Sequence, residues 1–476
     1  MKPTNVAHGG SLFEKIWQQH VVAELGDRAS LLHIDRVFLH ERTGSIALQS
    51  LEDSGRRVRH PELAFCTMDH IVDTRPGRGD TTLMPGGEAF IKTTRDAALR
   101  AGIGLFDIND PRQGIVHVIS PEQGIVLPGI TLVCPDSHTC TQGGLGALAW
   151  GIGSSEAEHA LATQTLRVNK PRTMRVSFDG DLAPCVTSKD MILYLIARES
   201  ASGGAGYAVE FAGTAVRRMS VEARLTLCNM AVEFSAFTGL VAPDDRVFEY
   251  LVGRPYAPKQ AAWDRALAAW RHLHSDAAAS FDRELVVDCA VIKPMVTWGT
   301  SPQHALGVTS FVPQPEAFAD ADTRQAAQRA LAYMDLQPGQ RLDTIPINAA
   351  FIGSCTNSRL PDLRAAATLL KGRKVAVGVK AICVPGSTQV KRDAEAEGLD
   401  EVFKEAGFEW RESGCSMCFY AGGESFGYQQ RVISTTNRNF ESRQGPQTRT
   451  HLASPLTVAA SAIAGRIADP RLLTGV

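Results

Sequence analysis

From Ile345 onward the chain repeats one unit: a short apolar run, a polar loop, then a helix. Ala349–Ile352 leads into Gly353-Ser354-Cys355-Thr356-Asn357-Ser358 and a helix near Leu360–Leu370. Ala381–Val384 leads into Pro385-Gly386-Ser387 and a helix to Ala406. Phe408–Trp410 leads into Gly414-Cys415-Ser416-Met417-Cys418, and Val432–Thr435 into Asn437-Arg438-Asn439-Phe440 and Arg443. Such alternation predicts an α/β fold with parallel strands, whose ligands sit at the carboxyl ends of the strands. All four loops carry polar or ligand-type residues just there.

Three thiols in two of these loops raise a sharper possibility. A structural zinc or an ordinary iron–sulfur cluster is closed by four ligands. Three thiolates would leave one metal corner open to act as a Lewis acid. A C-x-x-C also suits a thiol redox pair or half of a zinc site, so the residues alone leave these readings side by side. The chain has ten cysteines in 476 residues, which is no disulfide framework. Cys228, Cys289 and Cys383 lie in apolar stretches and read as buried small hydrophobes.

The rest of the chain offers more polar groups at strand ends. Ala64–Thr67 runs into Asp69-His70, which reads as a site pair or a surface pair. Gly114–Ile119 reads as a strand carrying His117 among valines, a core or a functional histidine. Ile130–Cys134 runs into Asp136-Ser137-His138-Thr139 and then Gly143-Gly144-x-Gly146, which is not a dinucleotide fingerprint. Adjacent Asp, Ser and His cannot form a catalytic triad, but they do place several polar groups at one tip. Ala29–Leu39 reads as one strand, and Glu222–Phe234 as a helix with Asn229 and Glu233 on one face. Glu233 stays open between a solvated and an inward side. Glu316–Gln340 reads as a linker. Arg438 and Arg443 suit bidentate carboxylate binding, with surface ion pairing as the alternative.

Length allows about two to four domains. An apolar content of 44% and a charged content of 21% suit a globular chain. A net charge of −2 gives no electrostatic footprint for nucleic acid or an anionic membrane. No uncharged apolar run reaches the length of about 18 residues needed to span a bilayer. Met1–Leu12 does not read as a secretory signal, so a cytoplasmic location is expected.

Six motifs occur in a telling order: Asp69-His70, Asp136-Ser137-His138-Thr139, Cys228-Asn229-Met230, Gly353 to Ser358, Gly414-Cys415-x-x-Cys418 and Asn437-Arg438-Asn439-Phe440. Together they resemble the aconitase superfamily. Val209-Glu210-Phe211, Val296 to Thr300, Gly407 to Arg411 and Thr450-His451-Leu452 are similar, within it, to the large subunits of bacterial 3-isopropylmalate dehydratases. The resemblance covers essentially the whole chain. It implies three aconitase-like α/β/α domains at 1–171, 172–290 and 291–476, without the fourth swivelling domain. It implies a 4Fe-4S cluster on Cys355, Cys415 and Cys418 with one open iron. It implies acid–imidazole pairs of Asp69 with His70, Asp136 with His117, and Glu233 with His138. Ser137, Arg438 and Arg443 would touch substrate carboxylates, and Asn229 and Asn437 would hydrogen-bond near the cluster. The chain ends at Val476, soon after Thr450-His451, so the resemblance implies a separate small subunit carrying the swivelling domain and its carbon base.

The implied activity is a hydro-lyase that isomerises 2-isopropylmalate to 3-isopropylmalate through an alkene, in leucine biosynthesis. Departures surround this reading. Ile46 stands where a T-x-x-Q-A pattern has Gln, and Ile71 follows Asp69-His70 in place of Asn. Pro135 and Ser413 replace Gly and Pro, and Tyr420 to Glu424 differ from the usual Ala-Met-Asn-x-Asp. They suggest a reshaped pocket and another 2-alkylmalate as an alternative substrate. Two other classes stand beside it: an RNA-binding regulator acting in the apo form, and a zinc or thiol-redox protein using only Cys415 and Cys418.

Overall fold

The computed structural model describes residues 10–420 and 423–474. Three parallel sheets carry the architecture. The first has the order Gly104–Phe106, Ala64–Thr67, Arg36–His40, Thr131–Cys134, Leu148–Gly151. The second has four strands, Thr238–Leu240, Tyr207–Ala212, Arg172–Asp179 and Arg283–Asp288. The third has Phe408–Trp410, Lys380–Cys383, Ala349–Ile352, Arg431–Ser434 and Arg449–Leu452. In the first and third sheets the strand order reverses at one point, between Arg36–His40 and Thr131–Cys134 in the first and between Ala349–Ile352 and Arg431–Ser434 in the third. At such a point neighbouring loops leave in opposite directions and open a crevice. The Cys355, Asn437, His40 and Asp136 loops all begin there.

Helices cover the sheets because their apolar residues recur at helical spacing. The segment expected as a linker is one of them. Ala321–Met334 is a helix whose Ala327, Ala330, Leu331 and Met334 are buried against the third sheet. Spacing of i, i+3, i+4 and i+7 marks a packed face, and this outweighs the segment's charge. Cys228, Cys289 and Cys383 are fully buried, as expected.

Three further expectations are corrected. Ala29–Leu39 is two strands, Ala29–His33 and Arg36–His40, in different sheets. The break falls at Asp35, whose carboxylate accepts from the Thr131 amide (2.8 Å) and pairs with His20 (2.8 Å). His117 lies not on a strand but in the helix Val116–Glu122. The Asp69 carboxylate accepts the Val116 amide (2.9 Å) at the start of that helix, which satisfies an otherwise free donor and favours a helix despite the β-branched residues. The helix read to Phe234 stops at Asn229, and Glu233 follows in the short 3-10 turn Val232–Phe234. Asn229 and Glu233 therefore approach the cleft from two segments rather than one helical face.

Arg224, on the Val221–Asn229 helix, is fully buried, and both its terminal nitrogens donate to Asp244 (2.9 and 2.6 Å). Asp244 also caps the helix Asp245–Leu251. Asp244→Ala leaves the guanidinium unpaired and the helix uncapped. Because Asp244 is partly exposed, the expected loss is about 2–3 kcal/mol, read as a lower denaturant midpoint at unchanged slope. No helix among the described residues is long and apolar enough to cross a membrane.

Candidate active site

The first and third sheets point their carboxyl ends at one cleft of about 410 Å³. Cys355, Cys415 and Cys418 line it on one side, and His70, His117 and His138 on the other. A larger cavity of about 630 Å³, around Trp298 and His304, holds none of these groups.

The cysteine loops need unusual backbone. Gly353 is packed so tightly that a Cβ there would lie 2.4 Å from the Phe351 ring. Ser354 then takes a φ of 80°, and Gly414 a φ of 155°, which open the loops and turn the sulfurs inward. Ser354 Oγ lies 3.1 Å from Cys418 Sγ. The amides of Asn229 (3.2 Å) and Asn437 (3.4 Å) donate to Cys355 Sγ, and Arg443 Nη2 stands 3.7 Å from Cys418 Sγ. Asn229 is fixed by Thr141 and Thr356, at 2.8 and 2.9 Å. Burial pushes the Cys355 thiol up to about 12 and the Cys415 thiol well up. Free Cys355 and Cys415 thiols are therefore neutral here, and a bound cation would make them thiolates.

Residues of this kind fit an iron–sulfur cluster. The donors aimed at the sulfurs are neutral amides and a guanidinium, which stabilise thiolate charge without competing as ligands. A four-ligand zinc site would need a fourth donor, and the nearby His70 has both nitrogens engaged.

Opposite the thiols, acids and imidazoles interlock. Asp69 Oδ1 is 2.6 Å from His70 Nδ1, and His70 Nε2 is 3.1 Å from Asp136 Oδ2. Asp136 Oδ1 is 2.9 Å from His117 Nε2 and accepts the His138 amide at 2.7 Å. His138 Nε2 is 2.9 Å from Glu233 Oε1, which also accepts from Arg438 Nε at 2.7 Å. Burial alone would push Asp136 up, but His117, His138 and His70 hold it well below the usual carboxylate range. Burial would lower His70, yet Asp69 and Asp136 raise it well above an ordinary imidazole. Burial would likewise raise Glu233, and His138 and Arg438 hold it down. Ser137 Oγ sits 3.3 Å from His138 Nδ1 at the cleft wall. All fourteen residues singled out in the sequence meet in or directly behind this cleft.

Several neighbours escaped the sequence reading. His40 stacks on His70 with ring centroids 4.0 Å apart, and burial with His70 brings it down to about 4. Glu41 accepts the Asp69 and Ile71 amides, and burial and Asp69 push it up to about 7. His40, Glu41, Asp69 and His70 are close enough to share a metal ion; Glu41, Asp69 and His70 are engaged with one another, with backbone amides and with Asp136, while His40 Nδ1 is buried with no partner among the described residues. Arg42 lies over the Phe419 ring (4.5 Å), with Arg443 near the same ring (4.8 Å). Gln142 Nε2 reaches His117 Nδ1 at 3.4 Å.

The departures from the family pattern are largely absorbed by structure. Ile46 is half-exposed on the helix Gly44–Asp53 and does not line the cleft, whereas Thr43 and Arg42 do. Glu424 pairs with Arg411 (3.0 Å), and Ser413 donates to Gln113 (2.6 Å). The Pro135 carbonyl, at the cleft, accepts from His40 Nε2 (3.2 Å). Ile71, beside His70, is fully buried, its amide held by Glu41. Ala421 and Gly422 lie outside the described residues.

Fold and cleft together define a class, that of α/β proteins whose cleft sets three thiols opposite acid–imidazole pairs. The chain belongs to the aconitase family, described as aconitate hydratase, whose model matches residues 14–465. It is 55% identical over 465 residues to 3-isopropylmalate dehydratase large subunit 1 of Bradyrhizobium diazoefficiens, covering 98% of this chain and 97% of that protein. It is 49% identical over 470 residues to the 3-isopropylmalate dehydratase large subunit of Roseiflexus castenholzii, covering 98% and 99%. Family membership implies an iron–sulfur cluster.

Proposed function

We propose that this chain is the large, cluster-bearing subunit of a 3-isopropylmalate dehydratase, isomerising 2-isopropylmalate to 3-isopropylmalate through 2-isopropylmaleate. The observation that carries the reading is that three thiols and three acid–imidazole pairs line one cleft, in a chain 55% identical to a protein of that name. This favours the isopropyl substrate over other 2-alkylmalates, and over regulatory or redox readings.

Bound on Cys355, Cys415 and Cys418, a 4Fe-4S cluster supplies an open Lewis-acid corner for a substrate hydroxyl. His70, held between Asp69 and Asp136, is kept as an imidazolium able to give a proton to a departing hydroxyl. Asp136 fixes the His117 ring and the His138 backbone, and Glu233 fixes the His138 ring. Arg438 and Arg443 stand at the rim with Ser137, where two carboxylates of a malate can be gripped. The Arg443 Nε is buried without a partner among the described residues, as a group awaiting an anion would be.

A separate small subunit carrying the swivelling domain and the carbon base is part of the proposal, supported by the relatives' name of large subunit. So are three domains at 1–171, 172–290 and 291–476, supported by one parallel sheet within each. A cytoplasmic place is supported by ten free thiols. The experiment is anaerobic reconstitution of the chain with iron and sulfide, assayed with and without a small subunit. Turnover of 2-isopropylmalate is expected only with both subunits present. Full turnover by the loaded chain alone overturns the two-subunit reading.

A further inference from the structure

Lys189, in the first turn of the helix Ser188–Glu199, is fully buried. Its ammonium donates to the carbonyls of Thr435 (2.9 Å) and Thr436 (2.6 Å). These residues directly precede Asn437, whose amide is 3.4 Å from Cys355 Sγ. Thr435 Oγ1 accepts from the Gly353 amide (2.9 Å) and donates to the Gly353 carbonyl (2.8 Å), two residues before Cys355. The lysine thus stands behind both loops that meet at Cys355.

No carboxylate among the described residues lies at ion-pair distance from it. Asp190 is occupied by the Met295 amide (2.7 Å) and by Thr187 (2.8 Å). Asp362 is occupied by Asn357 (2.9 Å) and the Arg359 amide (3.1 Å). Burial pushes each of these acids up to about 6, which weakens them further as counter-ions. Burial also brings Lys189 down to about 7, which a thiolate at Cys355 would oppose. A buried ammonium bonded only to carbonyls is strongly unfavourable unless an anion balances it.

We propose that Lys189 is the buried counter-charge of the iron–sulfur centre, offsetting the negative charge of the cysteine thiolates and so raising the reduction potential and the retention of the cluster. It is a positioning residue, acting through its field and through the loops it holds rather than on substrate. The inference rests on the reading that Cys355, Cys415 and Cys418 hold the cluster. Wild-type chain that takes up no iron would mark the failure of that reading and not of this one.

The test compares K189M and K189Q with wild type after anaerobic reconstitution. Met removes the charge and the hydrogen bonds, whereas Gln keeps an N–H donor without the charge. Both variants are expected to fold in the apo form by circular dichroism. Both are expected to show a more negative cluster midpoint potential in redox titration and a smaller rise in Tm on cluster loading. Folded variants that both lose their iron give the same result in stronger form. A wild-type potential in K189Q alone assigns the residue to hydrogen bonding, and a wild-type potential in both shows that it does not act on the cluster; either result overturns the proposal. Loss of the apo fold in both makes Lys189 purely structural and overturns it too.

Discussion

Replacing Cys418 by Ser is expected to remove iron, sulfide and turnover together, leaving activity below about one-thousandth of wild type. Serine is nearly the same size, so the buried loop keeps its packing. Its oxygen is a hard, weakly acidic ligand and a poor substitute for thiolate toward iron. The change also leaves Ser354 Oγ and Arg443 Nη2, at 3.1 and 3.7 Å from the sulfur, facing a hydroxyl in place of a charged sulfur. Iron and sulfide assays, with circular dichroism to show a retained fold, read the outcome. Cys383→Ser is the control: that thiol is buried in a strand of the third sheet, away from the cleft lining, and its loss should lower stability while iron is kept.

The second large effect is expected of Asp136→Asn, a loss of about 10³-fold in kcat with the cluster retained. Asp136 is the hub of the imidazole wall, 2.9 Å from His117, 3.1 Å from His70 and 2.7 Å from the His138 amide. An amide can accept at one oxygen only, and its NH₂ repels a donor nitrogen. His70 then loses one of the two carboxylates that keep it charged, and His117 loses the acceptor that fixes its ring. Because the thiols and their amide donors are untouched, iron content should match wild type while kcat falls. Loss of iron in this variant would mean that Asp136 supports the cluster rather than the proton transfer.

Four of the five strands of the third sheet were legible in the sequence because each is short, largely apolar and soon followed by polar loop residues, whereas Arg449–Leu452, with its Arg, Thr and His, carries no such signal. The Asp69-His70 and Asp136 to Thr139 tips were legible for the same reason. His40-Glu41 carries the same signal, an acid–imidazole pair at a strand end. It was hidden because Ala29–Leu39 reads as one continuous apolar strand, whereas the Asp35 side chain breaks it. His117 was misplaced because Ile-Val-His-Val carries strand propensity, and only a contact from Asp69, distant in sequence, starts a helix there. Ile46 seemed to reshape the pocket by its place in a motif, but side-chain direction on a helix is not written in the motif. The residues lining the cleft from that corner are Arg42 and Thr43.

The most direct measurement is a competition. Reconstituted chain with a small subunit is given 2-isopropylmalate, citramalate and citrate at equal concentration, and products are followed by mass spectrometry. The account predicts 3-isopropylmalate as the dominant product, with 2-isopropylmaleate as its transient precursor. Conversion of citrate or citramalate while 2-isopropylmalate stays untouched, in a chain fully loaded with iron and sulfide, would contradict it.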